Sequence, residues 1–360
     1  MIKTIPTSFI TNLNKRSSIV IATDYNELDN LLPSNGFVFI DKKVYEKFND
    51  SLLFKHDYSV YVIDTDDIKR NIECIPSVCK KFVELRIQRE DNIIVIGGKK
   101  LIDIYGFAIT IFNRNLNFYM IPTTLLAMTD TSIGGIYHLN ASEFVRDDVK
   151  IQSYPLKVLI CPNIAKYTDE ETFRSGLANM LKIGCIDNLP LLTKMQSVFH
   201  FIKDKREIED DKLADMIEDA LQSKIQVYLN DEVRAFAYGF GDKLAYYYAS
   251  FVNPNCKYSH SGTIGMELTL DIMSNYLHIA DVMTEYQKYS INCMLRAINP
   301  TLDQDIENAK EKLVKVLESD LPKDPMPLTY FKKLGQKPVV LQVPKSIIID
   351  AIKNHKPYNY

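Results

Sequence analysis

Up to about Pro162 the chain alternates short apolar runs with stretches in which apolar residues recur every three or four positions. "SIVIAT", "GFVFID", "YSVYVID", "NIIVIGG", "NFYMIP" and "KVLICP" read as buried strands, while "SVCKKFVELRIQ" and "KLIDIYGFAITIF" have the apolar spacing of helices. Alternation of this kind predicts an α/β layer fold built on a largely parallel sheet. Ligands of such sheets sit beyond the carboxyl ends of the strands, so the turns after Gly97 and Ile121 are where chemistry is expected.

After "CPNIAKYTDEETFRSG" the texture changes, and helical spacing runs through "LANMLKIGCI", "DKLADMIEDALQSKIQVYL", "GTIGMELTLDIMSNYLHIA" and "DIENAKEKLVKVLESD". Thr168 with Asp169, Glu170 and Glu171 predicts a helix start, because acidic groups suit the positive end of the helix dipole. The expected division is an α/β nucleotide-binding domain over residues 1–164 and a mainly helical domain over 165–360. The tail "PVVLQVPKSIIIDAIKNH" predicts a short strand and a closing helix.

Composition narrows the class without changing this picture. With 360 residues, 46% hydrophobic and 25% charged, the chain has the profile of a soluble globular protein. Its 43 basic and 46 acidic residues leave a formal charge of -3, and no basic field of the kind that nucleic acid requires. No apolar stretch reaches the ~18 residues of a membrane span, and the amino terminus lacks the pattern of a signal peptide. The expectation is a cytoplasmic protein with no nucleic-acid or membrane partner. Six cysteines form no CxxC pair and are expected to be small buried hydrophobes.

Particular residues then point to a family. "PTTLLAMTDTSIGG" (Pro122 to Gly135) and "FRSGLANMLKIG" (Phe173 to Gly184), in this order, resemble the wording of dehydroquinate synthase and its relatives, the sugar phosphate cyclases. "VIGGKKLIDIYGF", "IGMELTLDIM" and "YFKKLG" are weaker echoes. The resemblance implies an amino-terminal nucleotide-binding domain, a helical carboxyl-terminal domain and, commonly, a dimer. It also implies NAD, which oxidises a hydroxyl transiently, and zinc, which polarises the substrate's hydroxyls before phosphate elimination and ring closure.

The nucleotide residues carried over are Asp41, Asp66, Lys69, Gly97, Gly98, Lys99, Asp103, Thr123 and Thr124. Glycine lets backbone N–H groups approach a pyrophosphate, and a carboxylate at a strand end accepts from ribose hydroxyls. Here Lys99 and Ile102 stand where further glycines are expected, with Gly106 and Phe107 retained. Lys99 could supply charge in place of close backbone approach, whereas Ile102 can only obstruct or pack. Asp66 and Lys69 otherwise read as a solvated helix start. An altered, weakened NAD site is the expectation.

The family's three zinc ligands fall on Asn179, Tyr238 and Tyr258, with Asp242 replacing the second histidine of a Gly-His-x-x-Gly-His motif. Zinc needs charged or soft donors that outcompete water, so the resemblance implies that zinc is absent. The alternative is a rebuilt site using Asp242 and His260 with Asn179 or another carboxylate. Tyr238 and Tyr258 are expected to fill the former metal cavity, their hydroxyls bonding to each other or to Asn179.

Substrate-type residues carried over are Arg114, Asp130, Asn140, Lys182, Lys224 and Lys332, a set suited to a phosphorylated, polyhydroxylated acid. His138 lies close by resemblance, but Ile136 replaces a family lysine. The economical reading is a pseudoenzyme that binds NAD, another nucleotide or a sugar phosphate, as a homodimer or as the partner of an active paralogue. An active, divergent 3-dehydroquinate synthase or related cyclase, a carbon–oxygen lyase of the shikimate pathway, is its rival. An NAD-dependent alcohol dehydrogenase is a weaker third reading.

Overall fold

The structure, a computed structural model, describes residues 2–11, 15–52, 57–112, 116–142, 146–230, 239–277 and 282–358. Arg114 and Tyr238 therefore lie outside the described residues. By compactness the chain forms two units: Met1–Thr168 with Ile208–Ile225, and Asp169–Glu207 with Gln226–Tyr360.

In the first unit the strands are β1 (Ile2–Ile5), β2 (Ser18–Ala22), β3 (Asn35–Asp41), β4 (Asp57–Ile63), β5 (Asn92–Gly97), β6 (Asn117–Pro122), β7 (Ile136–Leu139), β8 (Val149–Gln152) and β9 (Lys157–Ile160). Its helices are α1 (Tyr25–Asp29), α2 (Lys42–Leu52), α3 (Ile75–Glu84), α4 (Lys99–Phe112) and α5 (Pro162–Ala165). Seven strands make one sheet in the order β1-β2-β9-β6-β5-β3-β4. All neighbours in it are parallel except the β1–β2 pair, and β7 and β8 form a separate antiparallel ribbon. The apolar runs are strands for a plain reason: Val38, Phe39, Ile40, Ile93, Ile94, Val95 and Ile96 are all fully buried, as a parallel sheet covered on both faces demands.

The order contains a reversal. From β3 the chain adds β4 on one side, then returns to place β5 on the other. Ile40 is in register with Ile96, so the carboxyl ends of β3 and β5 lie side by side, at the kind of switch point where open α/β sheets bind ligands.

The second unit contains α6 (Glu170–Ile186), α7 (Leu189–Gln196), α9 (Asp242–Tyr247), α10 (Tyr258–Asp271), α11 (Glu285–Ile298), α12 (Leu302–Glu318) and α13 (Lys345–Asn354), with one hairpin, β10 (Met326–Phe331) and β11 (Pro338–Val343). Helix α8 (Asp210–Asn230) lies between α7 and α9 in the chain, and as far as Ile225 it groups with the first unit. Three lysines hold it there: Lys3 meets Glu218 at 2.8 Å, Lys166 meets Asp210, and Lys224 meets Asp130.

The helix start expected at Thr168–Glu171 is the start of α6, with Asp169 as its cap: the Asp169 carboxylate accepts from the Thr172 backbone at 2.8 Å and from the Thr172 hydroxyl at 2.7 Å. Residues 64–71 form turns, so Asp66 and Lys69 start no helix. The tail folds as the pattern predicts, but pairs with β10, a strand the pattern did not reveal. None of the six cysteines is in a disulfide; Cys161 and Cys185 are buried, the others half-buried.

Candidate functional site

Helix α4 follows β5 directly through Gly97 and Gly98, so its first N–H groups, which lack intrahelical partners, face outward past the end of a central strand. The turn is tied to the signature block, because Thr123 N–H donates to the Gly97 carbonyl at 3.0 Å. A Cβ on Gly98 would come within 3.0 Å of Thr124 Cγ2, which leaves room for backbone but little more. Ile102 does not obstruct this turn: it is fully buried and belongs to the core cluster with Phe39, Val95 and Met120.

Lys99 has an intramolecular partner. Its Nζ lies 3.0 Å from Asp103 Oδ2, one helical turn on, and the same oxygen accepts from Arg70 Nη1 at 2.8 Å. Asp103 Oδ1 accepts from the His138 backbone N–H at 3.2 Å, and the Asp103 side chain is fully buried. Arg70 also donates to Asp147 Oδ1 at 2.6 Å and to the His138 carbonyl at 3.0 Å, while Asn140 Oδ1 accepts from the Asp147 backbone at 3.2 Å. Asn140 thus braces a charged network next to the glycine turn. Burial works against the Asp147 carboxylate, but Lys99 and Arg70 outweigh it and hold its pKa well below the usual carboxylate range.

Burial, and then the nearby Lys99 charge, push the His138 imidazole down to about 4. A histidine depressed in the folded state binds fewer protons than the unfolded chain between that value and about 6.5, so folding stability falls as pH drops through this window. We expect His138→Asn to remove part of the loss between pH 7 and pH 5, by ~1–2 kcal/mol after allowance for its partial exposure. Urea unfolding of both proteins at the two pH values checks this; equal losses would exclude the imidazole as the source.

The ribose-side residues are ordered by neighbours. Asp41 accepts from the Lys43 backbone at 2.9 Å and from the Thr65 hydroxyl at 2.6 Å, and Asp66 pairs with Lys43 at 2.7 Å. Lys69 is exposed. In the signature block the helix widens into a π turn over Ala127–Thr131, a geometry common at functional sites, and Asp130 on it pairs with the buried Lys224.

In the second unit Lys182, three residues after the buried Asn179 on α6, is itself buried and donates to both oxygens of Asp242, at 2.8 and 3.1 Å. The Tyr258 hydroxyl donates to Asp242 Oδ1 at 2.6 Å, and Lys182 Nζ lies 5.2 Å from the centre of the Tyr258 ring. The expected phenol pairing is thereby corrected for Tyr258: its one hydrogen goes to a carboxylate, which is a stronger acceptor than a second phenol or an amide. Burial disfavours the Lys182 ammonium, but Asp242 beside it carries its pKa above the usual value; burial and then Asp242 keep the Tyr258 phenol protonated.

Asp242 and His260 do not share a partner. His260 is two residues beyond Tyr258 on α10, roughly 200° around the helix. Its Nδ1 is 2.8 Å from Asp305 and its Nε2 is 3.6 Å from Glu171, so its two ring nitrogens address carboxylates in opposite directions. Among the described residues no group of three or more His, Cys, Asp or Glu side chains is placed to hold a metal ion. Lys332 is exposed, beyond the end of β10.

Arg70 and Asp147 were missed from the sequence. Arg70 is an isolated arginine after a strand, and Asp147 is a non-glycine residue at φ 57°, a conformation that leaves only a faint trace in sequence.

A parallel-sheet unit with a glycine turn at its switch point, together with a mainly helical unit, is the fold of the dehydroquinate-synthase-like cyclases. Residues 60–175 match the family model for the 3-dehydroquinate synthase N-terminal region. A 3-dehydroquinate synthase of Clostridium botulinum is 29% identical over 240 residues, covering 64% of this chain and 66% of that protein. Another, from Clostridium beijerinckii, is 32% identical over 179 residues, covering 48% and 49%. The chain thus matches between about half and just under two thirds of the length of these curated relatives. The solved structure of ValA, a 2-epi-5-epi-valiolone synthase from Streptomyces hygroscopicus subsp. jinggangensis 5008 with NAD+ and Zn2+ bound, superposes with a TM-score of 0.77 at 19% identity, over 93% of this chain and 95% of that one. The chain is similar to the 3-dehydroquinate synthases over part of their length and has the sugar phosphate cyclase fold. Among the described residues no helix is long and apolar enough to cross a membrane.

Proposed function

We propose that this protein is a repurposed dehydroquinate-synthase-like binder of NAD or a related phosphorylated ligand, in which the metal-dependent cyclase step has been given up. The observation that carries the reading is the cluster of Lys182, Asp242 and Tyr258 at the family's metal position. Zinc ligation needs negatively charged or soft donors with an open position. Here one family ligand position is a neutral amide, another a phenol held protonated, and the adjacent carboxylate is already neutralised by a buried ammonium. A divalent cation would face the Lys182 charge at close range, so this donor set does not fit zinc.

The nucleotide residues fit better in their phosphate half. The turn of Gly97 and Gly98, the free N–H groups opening α4, and Thr123 and Thr124 would hold a pyrophosphate, with Lys99 adding positive charge. Asp41, beside Gly97 at the switch point, would accept from a ribose hydroxyl with the lone pairs that Lys43 and Thr65 leave. Bound NAD would supply a reversible hydride acceptor. Lys224 and Asp130 would orient hydroxyls or phosphate of a second ligand. A dimer, either of this chain or with an active paralogue, and a cytoplasmic location belong to the same proposal.

The survival of Asp130, Lys182 and Lys224 favours a second reading, an active divergent cyclase with relocated metal ligands. Elemental mass spectrometry of protein purified without chelator, before and after zinc add-back, separates the two. The binder reading expects far less than one metal per chain and a higher Tm with NAD, since a ligand at a hundred times its Kd adds about 2.7 kcal/mol. Stoichiometric metal that Asp242→Ala or His260→Ala abolishes would establish the rival; no Tm response to NAD would remove the nucleotide from the proposal.

A further inference from the structure

Within the second unit, a cavity of about 310 Å³ opens where the end of α10, the first turns of α11 and the residues after α13 meet. Its volume lies at the lower end of small-molecule sites, which run from about 300 to 1,000 Å³. It stands well apart from the cluster at Tyr258: Glu267 and Asp271, which line it, follow Tyr258 on α10 by nine and thirteen residues, or roughly 13 and 20 Å of helix rise.

The deep residues of this cavity are polar and under-used. Glu267 is only 6% exposed, and its Oε1 meets Arg296 at 3.4 Å, a long contact, while Arg296 makes its short bond, 2.6 Å, to Asp303. Burial raises the Glu267 pKa against the pull of Arg296, a sign that the carboxylate is poorly compensated. His355 is also 6% exposed; its Nδ1 lies 3.4 Å from Asp271 Oδ2, and its Nε2 is buried with no hydrogen-bond partner. A buried carboxylate that lines a cavity with only one long contact to a cation is an unusual expense for a fold to carry without a ligand. The rim has the opposite charge: Lys288 is half-buried and lies 6.0 Å from the Tyr358 ring centre, and Lys356 is exposed.

We propose that this cavity is a second ligand site, for a small zwitterionic amine that enters ammonium first. The ammonium donates to Glu267, with Asp271 adding negative charge, and the anionic end of the ligand stays at the mouth with Lys288 and Lys356. Depth-ordered charge of this kind discriminates against simple acids, which would meet Glu267, and against simple amines, which would leave the rim lysines unanswered. The site is independent of the nucleotide turn and of the lysine–aspartate–tyrosine cluster, so its test neither needs nor touches the functional reading above.

The experiment is isothermal titration calorimetry of the full chain with glycine, 4-aminobutanoate and 6-aminohexanoate, and with butanoate and butylamine as single-charge controls. At least one zwitterion is expected to bind at one per chain, and at least tenfold more tightly than either control. Glu267→Gln should weaken that binding at least tenfold. Because Glu267 is buried and its variant could unfold, Lys356→Ala at the exposed rim serves as the second variant, with an expected loss of about threefold. Binding of no zwitterion, binding of butylamine or butanoate as tight as that of the zwitterions, or binding unchanged in a folded Glu267→Gln protein or in Lys356→Ala would each overturn the assignment.

Discussion

Replacing Asp103 by alanine is expected to lower the unfolding free energy by ~3 kcal/mol or more, the range for removing one partner of a buried ion pair. The reason lies in what the carboxylate holds. Asp103 is fully buried and is shared by Arg70 at 2.8 Å, Lys99 at 3.0 Å and the His138 backbone N–H at 3.2 Å. Without it two cations face each other across the base of the glycine turn, and one backbone donor loses its acceptor. Asp147 can still answer Arg70, which keeps the loss from being larger. Asp103→Asn separates the causes, since an amide oxygen can keep the bond to His138 but not the charge. Urea unfolding should place the asparagine variant close to alanine if charge dominates; a variant close to wild type would assign the effect to the backbone bond. The same substitution frees Lys99, so nucleotide affinity and fold stability should move in different directions.

Gly265→Ala is the second substitution expected to do severe damage, again ~3 kcal/mol, at the upper end for overpacking. A Cβ at this position would sit 2.1 Å from the Gly241 carbonyl oxygen and 2.8 Å from the Ala245 nitrogen. Both are backbone atoms, and they are joined by the bond that starts α9, Ala245 N–H to the Gly241 carbonyl at 3.0 Å. Gly241 itself has φ 76°, where a side chain would be strained, so it cannot rotate away cheaply. Helices α9 and α10 therefore cross at the closest approach that two backbones allow, and Asp242, the first residue of α9, is aimed at Lys182 and Tyr258 by that crossing. Denaturant unfolding should show the loss of stability in Gly265→Ala, while Gly239→Ala, whose Cβ would meet only the Thr329 hydroxyl at 3.1 Å, should cost far less. Comparable losses in the two variants would mean that the crossing is not what fixes α9.

Much of the fold was legible because its signals are local. The six apolar runs read as buried strands all lie in the large sheet, since a strand covered on both faces has no polar side to disguise it, but β4 is an edge strand with Val60 and Val62 exposed, so that run is a strand and not a buried one. The signature blocks carried the family, and the glycine turn fell at the end of β5, as expected of a strand followed by an amphipathic helix. Strand β10, "MPLTYF", escaped notice because its partner lies after an intervening loop and its own pattern is weakly periodic. Helix α8 read simply as one more helix of the second half, because periodicity reports that a helix has an apolar face but not which unit buries it. Its allegiance is set by ion pairs of its Glu218 and Asp210 with Lys3 and Lys166, and of its own Lys224 with Asp130, partners far from it in the chain.

The candidate site divides along the same line. That the chain carries Asn179, Tyr238 and Tyr258 where the resemblance expects metal ligands, and Ile102 where it expects a glycine, is a matter of residue identity alone. Whether Lys99 is free or paired, whether Asp242 turns toward His260 or toward Lys182, and which acceptor the Tyr258 hydroxyl finds depend on side chains brought together over separations of four to sixty residues. Hydrogen bonds and ion pairs act over about 3 Å, so partners are chosen only after helices have packed and backbones have met. Sequence therefore determined which chemical groups this protein possesses and the order in which its strands and helices appear; the tertiary structure decided which of those groups neutralise one another and which, like Glu267, keep only a long contact to a cation.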